Sequence, residues 1–112
     1  MKMIAPLFAL ALCSQATPGF ATDDGSAAVT ELGQLNGIAL ACNQPALVTR
    51  ARNVVVTTAP KTRDIGEMFE NATNAAYLEQ GKSQAACPDS ATLANRIATT
   101  EKRLQAAFPK PQ

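Results

Sequence analysis

Three carboxylates, Asp64, Glu67 and Glu70, recur at three-residue steps and are the arrangement in this sequence closest to a catalytic pattern. On a helix this spacing places them along one side, where paired carboxylates could serve acid–base catalysis or bind a cation. Catalysis would also require burial that shifts a carboxyl pKa, and the pattern does not predict burial. Acidic residues near a helix start are expected for their favourable interaction with the helix dipole. We therefore predict a structural, solvated role for all three.

The chain contains no histidine, which removes the usual Ser–His and Cys–His nucleophiles. Its glycines are scattered, so no phosphate-binding loop is predicted. A zinc site is not expected, because at most three thiols and no imidazole are available. We expect a protein that is not an enzyme and that binds no metal or cofactor.

The first 21 residues have the pattern of a secretory signal peptide. Lys2 precedes an apolar run over residues 3–13, and Gly19-Phe20-Ala21 places small residues where a signal peptidase reads them. The run is about half the roughly 20 residues that span a bilayer. We predict a signal peptide over residues 1–21, a single mature domain over residues 22–112, and a periplasmic location. Lipoprotein processing at Cys13 is an alternative that Leu12 disfavours, because that position normally holds a small residue.

Cys42 and Cys87 are the two cysteines that remain after cleavage. In an oxidising compartment an even pair predicts a disulfide, and two free buried thiols are the alternative. A bond closing a loop of this size would stabilise the domain by roughly 4 kcal/mol in the chain-entropy model.

Four helical segments can be read in the mature chain, over about residues 26–42, 45–59, 64–80 and 89–108. In each, apolar residues recur at three- and four-residue steps. The predicted buried stripe of the third segment consists of Ile65, Met68, Phe69, Ala72, Ala76 and Tyr77. That of the fourth consists of Leu93, Ile97, Thr100, Leu104 and Ala107. The run Val54-Val55-Val56 would suit a strand equally well, but no second strand is available to pair with it. The predicted fold is all-α, a small disulfide-stapled bundle of about four helices.

Several local signals predict where these helices begin, end and meet. Asp24-Gly25-Ser26 offers an N-cap for the first helix, Asp64 and Glu67 fit a capping pair for the third, and Gly81 is a natural end to it. Gly33 and Gly37 lie four residues apart, and we interpret them as small residues that let a neighbouring helix approach.

Charge changes sign from one segment to the next. Acids without bases occupy residues 22–42 and 64–81, and bases without acids occupy residues 43–63; the remainder is basic again, with five bases against two acids. In an up-and-down bundle sequential neighbours would then attract. The chain has ten Lys and Arg against nine Asp and Glu, and Lys2 lies in the leader, so the mature net charge is zero. This balance argues against binding to nucleic acid or to an acidic membrane surface.

The charge separation also suggests a contact surface for another protein. We predict that Arg50, Lys61 and Arg63 on one side, and Glu67 and Glu70 on the other, form it. A dipolar surface of this kind steers association more than it adds affinity. The competing explanation is that these charges pair between adjacent helices.

In size, leader and single disulfide the chain is similar to the small acid-activated chaperones of the bacterial periplasm. The similarity is one of general layout and implies a periplasmic stress chaperone as one function. The function we expect is a periplasmic binding or assembly protein whose partner is another envelope protein, as in a secretion or conjugation apparatus. A small ligand carrier or hydrolase is a third class. We expect no stable membrane insertion of the mature chain.

Overall fold

The computed structural model describes residues 20–110, with side chains described from residue 23 onward. Its four α-helices are α1 (Phe20–Ala41), α2 (Pro45–Thr58), α3 (Arg63–Ser83) and α4 (Ser90–Ala107). Over the described range there is no strand, and the prediction of an all-α, four-helix domain is confirmed.

The helices run alternately up and down. Gly33 faces Ala72 and Gly37 faces Ala76, so α1 and α3 are parallel. Gly25 lies beside Phe108, near the far end of α4, so α1 and α4 are antiparallel. Helix α1 packs against all three other helices, α2 also packs against α4, and among the described helices the backbone of α3 approaches only α1.

The apolar core lies between α1, α2 and α4. Its fully buried large side chains include Val29 and Leu32 of α1 and Leu93, Ile97 and Leu104 of α4. The predicted stripe of α4 is buried at every position, whereas α3 buries only Phe69 and Thr73. Helix α3 adds Phe69 to the same core and otherwise packs along α1 through small residues.

The β-branched run of α2 is helical. Pro45 lies at the start of the helix, where its missing N–H leaves no hydrogen bond unmade. Val54 and Val55 are buried in the core and Val56 is exposed. Burial of one face outweighs the modest intrinsic cost of valine in a helix, so the helical prediction for residues 54–58 is confirmed.

The predicted ends of α3 are wrong at both sides. Thr62, not Asp64, is the N-cap, and its hydroxyl accepts the N–H of Ile65 at 3.2 Å. The helix continues through Gly81 to Ser83, and its C-cap is Gln84, whose φ of 56° is left-handed. Glycine in a helix costs only about 1 kcal/mol relative to alanine, so it does not by itself end one.

The predicted N-cap of α1 is also wrong, because the helix begins at Phe20 and Asp24, Gly25 and Ser26 lie inside it. Residues 1–19, which include Cys13 and nearly all of the predicted signal peptide, lie outside the described residues. The predicted cleavage therefore stays a prediction.

The disulfide joins Cys42 to Cys87, with 5.8 Å between their Cα atoms. Cys42 directly follows α1, and Cys87 lies in the segment between α3 and α4. The predicted pairing is confirmed, and the bond ties the end of α1 to the connection between α3 and α4.

Candidate functional site

The structure does not gather the five residues of the predicted charged surface into one free patch. Arg50 points to α4, where its guanidinium lies 3.4 Å from a carboxylate oxygen of Glu101. Lys61 donates from Nζ to the carbonyl oxygen of Val56 at 3.0 Å, which satisfies a carbonyl in the last turn of α2. Both basic residues therefore have partners within the chain.

Glu70 is paired across the α2–α3 boundary. Arg52 donates to its Oε2 at 3.1 Å, and the same guanidinium carbon lies 5.6 Å from the centroid of the Phe69 ring. Both members of the ion pair are about half exposed, and exposed pairs contribute under about 1 kcal/mol. This is the inter-helix pairing that the alternating charge of the segments predicts.

Arg63 and Glu67 lie on the first turns of α3 and are exposed. They are four residues apart and so share a side of the helix. No ion pair forms at either residue within the described range. The partner-binding role of these two residues stays a prediction, and they are the part of the predicted surface whose charge is not engaged elsewhere in residues 23–110.

The two glycines of α1 form the seam with α3. A Cβ built on Gly33 would lie 2.7 Å from both the Cβ of Ala72 and the carbonyl oxygen of Phe69. A Cβ on Gly37 would collide with the carbonyl oxygen of Thr73. The small residues therefore bring the two helix backbones together, as the four-residue spacing predicts.

A buried polar pair, which the sequence reasoning missed, lies in the same seam. Asn36 is fully buried and donates from Nδ2 to the hydroxyl oxygen of Thr73 at 3.1 Å. Thr73 in turn donates to the carbonyl oxygen of Phe69 at 2.8 Å. The Oδ1 of Asn36 is buried without a hydrogen-bond partner among the described residues. Asn36 lies four residues after Leu32 and three before Ala39, and this spacing could have predicted that it shares their buried face.

An open groove of about 920 Å³ runs along the outer side of the α1–α3 pair. Thr30, Gln34 and Ile38 form its α1 wall at steps of four residues. The α3 wall runs from Met68 to Ser83, and its apolar part is mainly alanine: Ala72, Ala75 and Ala76. Sequence reasoning also missed this groove, because Ala72 and Ala76 were predicted to be buried and are only partly so.

Glu79 is the one charged residue among the described residues that line the groove, and other charged residues lie near its ends. Asp64 lies four residues before Met68 and so on the same side of α3, and Asp23 lies seven before Thr30 and so on the same side of α1. No base lines the groove itself, and Lys82 lies in a neighbouring depression with Tyr77 and Leu78. Lys82 lies 18 residues after Asp64, about five helical turns, and so on the same side of α3, which leaves charges of both signs near the groove.

Among the described residues, no group of side chains resembles a reaction centre. From residue 23 to residue 110, no three Cys, Asp or Glu side chains are grouped as metal ligands would be. Asp89 is the N-cap of α4, and the N–H of Thr92, 2.8 Å from its Oδ1, lowers the pKa of this carboxyl below 3.8. That shift is explained by helix capping alone. None of the four helices is both long enough and apolar enough to cross a bilayer.

Comparison with family models, with curated proteins and with solved structures finds no match to this chain.

Proposed function

We propose that this chain is an exported protein that binds another envelope protein in the periplasm and is not itself an enzyme. The observation that carries the proposal is the α1–α3 groove. It is open, and its lining combines alanines, Ile38 and Met68 with polar side chains. An amphipathic helix laid into an apolar groove is a common mode of peptide recognition.

The attachment of α3 supports the same function. Because α3 buries few side chains and packs through glycine and alanine, it presents its remaining surface outward. Tyr77, which was predicted to be buried, is 49% exposed, Leu78 is 64% exposed, and the two line a separate depression with Ala41 and Lys82. Exposed apolar side chains beside a groove are typical of surfaces that bind proteins.

The experiment that tests this function places a photo-crosslinking amino acid at Asn71, which lines the groove, in the cells that produce the protein. We expect one protein to crosslink, and the groove-filling substitution Ala75→Phe to abolish that crosslink. Ala106→Phe, at an exposed alanine on α4, is the matched control and should leave it intact. Equal crosslinking in both variants, or a product that contains only this chain, would overturn the proposal.

A stress chaperone is the alternative that this experiment separates. A chaperone binds many unfolded clients and exposes apolar surface when pH or redox state changes. It would yield a broad set of crosslinked proteins, and it would bind a hydrophobic dye strongly under the inducing condition. A binding or assembly protein yields one defined product and shows no such gain in dye binding.

A further inference from the structure

We infer that, without its partner, the protein forms an antiparallel dimer in which the outer side of α3 packs against the same side of α3 in a second copy. This inference goes beyond the proposed function, because it concerns the free protein. The observation that carries it is an exposed stripe on α3 whose two halves are complementary to each other.

The stripe has the spacing of a coiled-coil seam. Its six residues recur along α3 at alternating steps of four and three, as the a and d positions of a heptad do. Residues at this spacing share one side of a helix. The stripe consists of Asp64, Met68, Asn71, Ala75, Leu78 and Lys82.

The stripe lies on the side of α3 that faces away from α1. Phe69 and Thr73, through which α3 meets α1, are buried on the opposite side of the helix. Met68 is half-buried, and the other five stripe residues are exposed. Leu78 is the most exposed large apolar side chain of the described residues, at 64%. The stripe is therefore open to a second molecule.

The two ends of the stripe carry opposite charges. Asp64 lies in the first turn of α3 and Lys82 in its last turn. Neither forms an ion pair within residues 23–110. Three of the four stripe residues between them are apolar. A second surface that matches this stripe must be apolar in the middle and must have the opposite order of charges.

An antiparallel copy of α3 meets both requirements. In a two-fold symmetric interface each residue that contacts another is contacted by it in return. An axis at the level of residue 73 would place Asp64 of each copy opposite Lys82 of the other, since each lies nine residues from that level. The same axis would place Met68 at the level of Leu78. The dimer would thus have two ion pairs at its ends and two apolar layers between them.

Charge also selects the direction of the second copy. A parallel arrangement would bring the two Asp64 carboxylates together and the two Lys82 ammonium groups together, which is unfavourable. Glu67 and Glu79 flank the stripe on its two different sides, and a two-fold axis keeps them on different sides. The antiparallel dimer therefore places no acid directly opposite another acid.

The dimer would be weak, because one helix from each copy makes a small interface and small interfaces form transient complexes. Met68, Asn71 and Ala75 also line the α1–α3 groove, so the second copy and the partner protein compete for this surface. We expect self-association in the concentrated, purified protein. In the cell the partner displaces the second copy, and Asn71 crosslinks to another protein.

The test is analytical ultracentrifugation of the disulfide-bonded protein over a range of concentrations, where we expect a monomer–dimer equilibrium. Lys82→Asp would place an acid opposite Asp64 at both ends and should weaken the dimer roughly ten-fold at low salt. Asp64→Lys should do the same by placing bases together. The double variant restores opposite charges at both ends and should dimerise within about two-fold of the parent. Lys102→Asp, at an exposed position on α4, is the control for net charge.

A second pair of variants tests the apolar layers. Leu78→Ala removes apolar surface from both layers and should weaken the dimer about ten-fold. Val56→Ala, at an apolar side chain on α2 that is 52% exposed, is the matched control and should change dimerisation by less than about two-fold. Both side chains are exposed, so neither variant disturbs the core.

Three results would overturn the inference. A protein that stays monomeric at the highest concentration has no such dimer, and the proposed function stands if Ala75→Phe still blocks crosslinking in the cell. A dimer that Lys82→Asp and Leu78→Ala leave unchanged uses another surface. A double charge variant that does not recover contradicts antiparallel pairing, because only that direction brings Asp64 and Lys82 together.

Discussion

Gly33 and Gly37 are the residues on which the position of α3 depends most directly. Glycine in a helix normally costs stability because it increases the entropy lost on folding. Here that cost is offset, because a Cβ at either position would strike α3. The glycines are thus required by close approach of two backbones, and neither has a positive φ.

Substituting these glycines tests the seam. Gly37→Ala should lower the free energy of unfolding by about 1–3 kcal/mol, as overpacked substitutions do. Gly66→Ala, in α3 where an added Cβ would have no neighbour within 4 Å, is the matched control and should raise it by about 0.5–1 kcal/mol. Chemical denaturation followed by circular dichroism measures both values. Stabilisation by Gly37→Ala would show that the helices lie further apart.

Asp89 predicts a specific dependence of stability on pH. Its carboxylate accepts the N–H of Thr92, so its pKa in the folded chain is below the ordinary aspartate value of 3.8. A lowered carboxyl pKa contributes stability above about pH 3.8, and this contribution is lost as the pH falls through the folded pKa. Asp89→Ala should therefore be less stable than the parent at neutral pH, with a gap that closes in acid.

Asp89→Ser is the control for that experiment. A serine hydroxyl can also cap the helix but does not titrate in this range. Its stability relative to Asp89→Ala should stay constant while the parent approaches both variants in acid. A gap between parent and Asp89→Ala that persists undiminished far into acid would contradict the assigned role.

Substitution of Arg63 tests the part of the predicted charged surface that forms no ion pair within the described residues. Since Arg63 is exposed and unpaired within the described residues, Arg63→Glu should change the free energy of unfolding by less than about 0.5 kcal/mol. If the residue serves a partner, the same substitution should slow capture of that partner and change its salt dependence. Lys61→Glu is a poor test of binding, because Lys61 also caps α2. Unchanged capture by Arg63→Glu would remove it from the binding surface.

At the scale of elements, the segment that joins α3 to α4 is the most dependent on a covalent bond. Residues 84–89 have few hydrogen bonds to the rest of the fold, among them Gln80 to the carbonyl oxygen of Ala85 at 2.8 Å. The Cys42–Cys87 bond ties this segment to α1 and so limits how far the C-terminal end of α3 can move.

Removing the disulfide should lower the free energy of unfolding by roughly 2–5 kcal/mol, as in other small secreted domains. Cys87→Ser and Cys42→Ser should be equally affected, and the reduced parent chain should match them. Amide hydrogen exchange should increase more in α3 than in α4, because the disulfide holds the connection that leaves α3 and because α3 buries fewer side chains than α4. Equal increases throughout the fold would show that α3 is not a separate unit of stability.

Ion pairs connect helices of opposite charge. Arg52 joins α2 to Glu70 of α3, and Arg103 joins α4 to Glu31 of α1. The third pair, Arg50 with Glu101, uses one of the acids in the basic C-terminal segment. These pairs are partly exposed and individually weak, so their contribution is to favour this arrangement of helices over others.

At the scale of the whole molecule, export remains the first prediction to test. Mass spectrometry of the secreted form should give an N-terminus at Thr22, and non-reducing peptide mapping of the same sample should link Cys42 to Cys87. An intact Met1 on the secreted protein, or a lipid on Cys13, would contradict the predicted processing.

Most of the fold could be predicted from the sequence. The four helices and the close approach at Gly33 and Gly37 depend on residue spacing along the chain. The disulfide depends on pairing between the two cysteines that remain after the predicted cleavage. The stripe of α4 was predicted completely because Leu93, Ile97 and Leu104 are large and unambiguous. The ends of α1 and α3 were not, since several adjacent residues can each cap a helix and the choice depends on what the next segment contacts.

Only the tertiary structure decided which charges remain free and where the surface opens. The charge pattern of the sequence predicts that Arg50, Lys61 and Glu70 share one surface, but their partners are Glu101, Val56 and Arg52. The groove exists because α3 packs on α1 without reaching α4, an arrangement that no local period encodes. Helical spacing determines which residues share a face, whereas packing between distant segments determines which faces are covered.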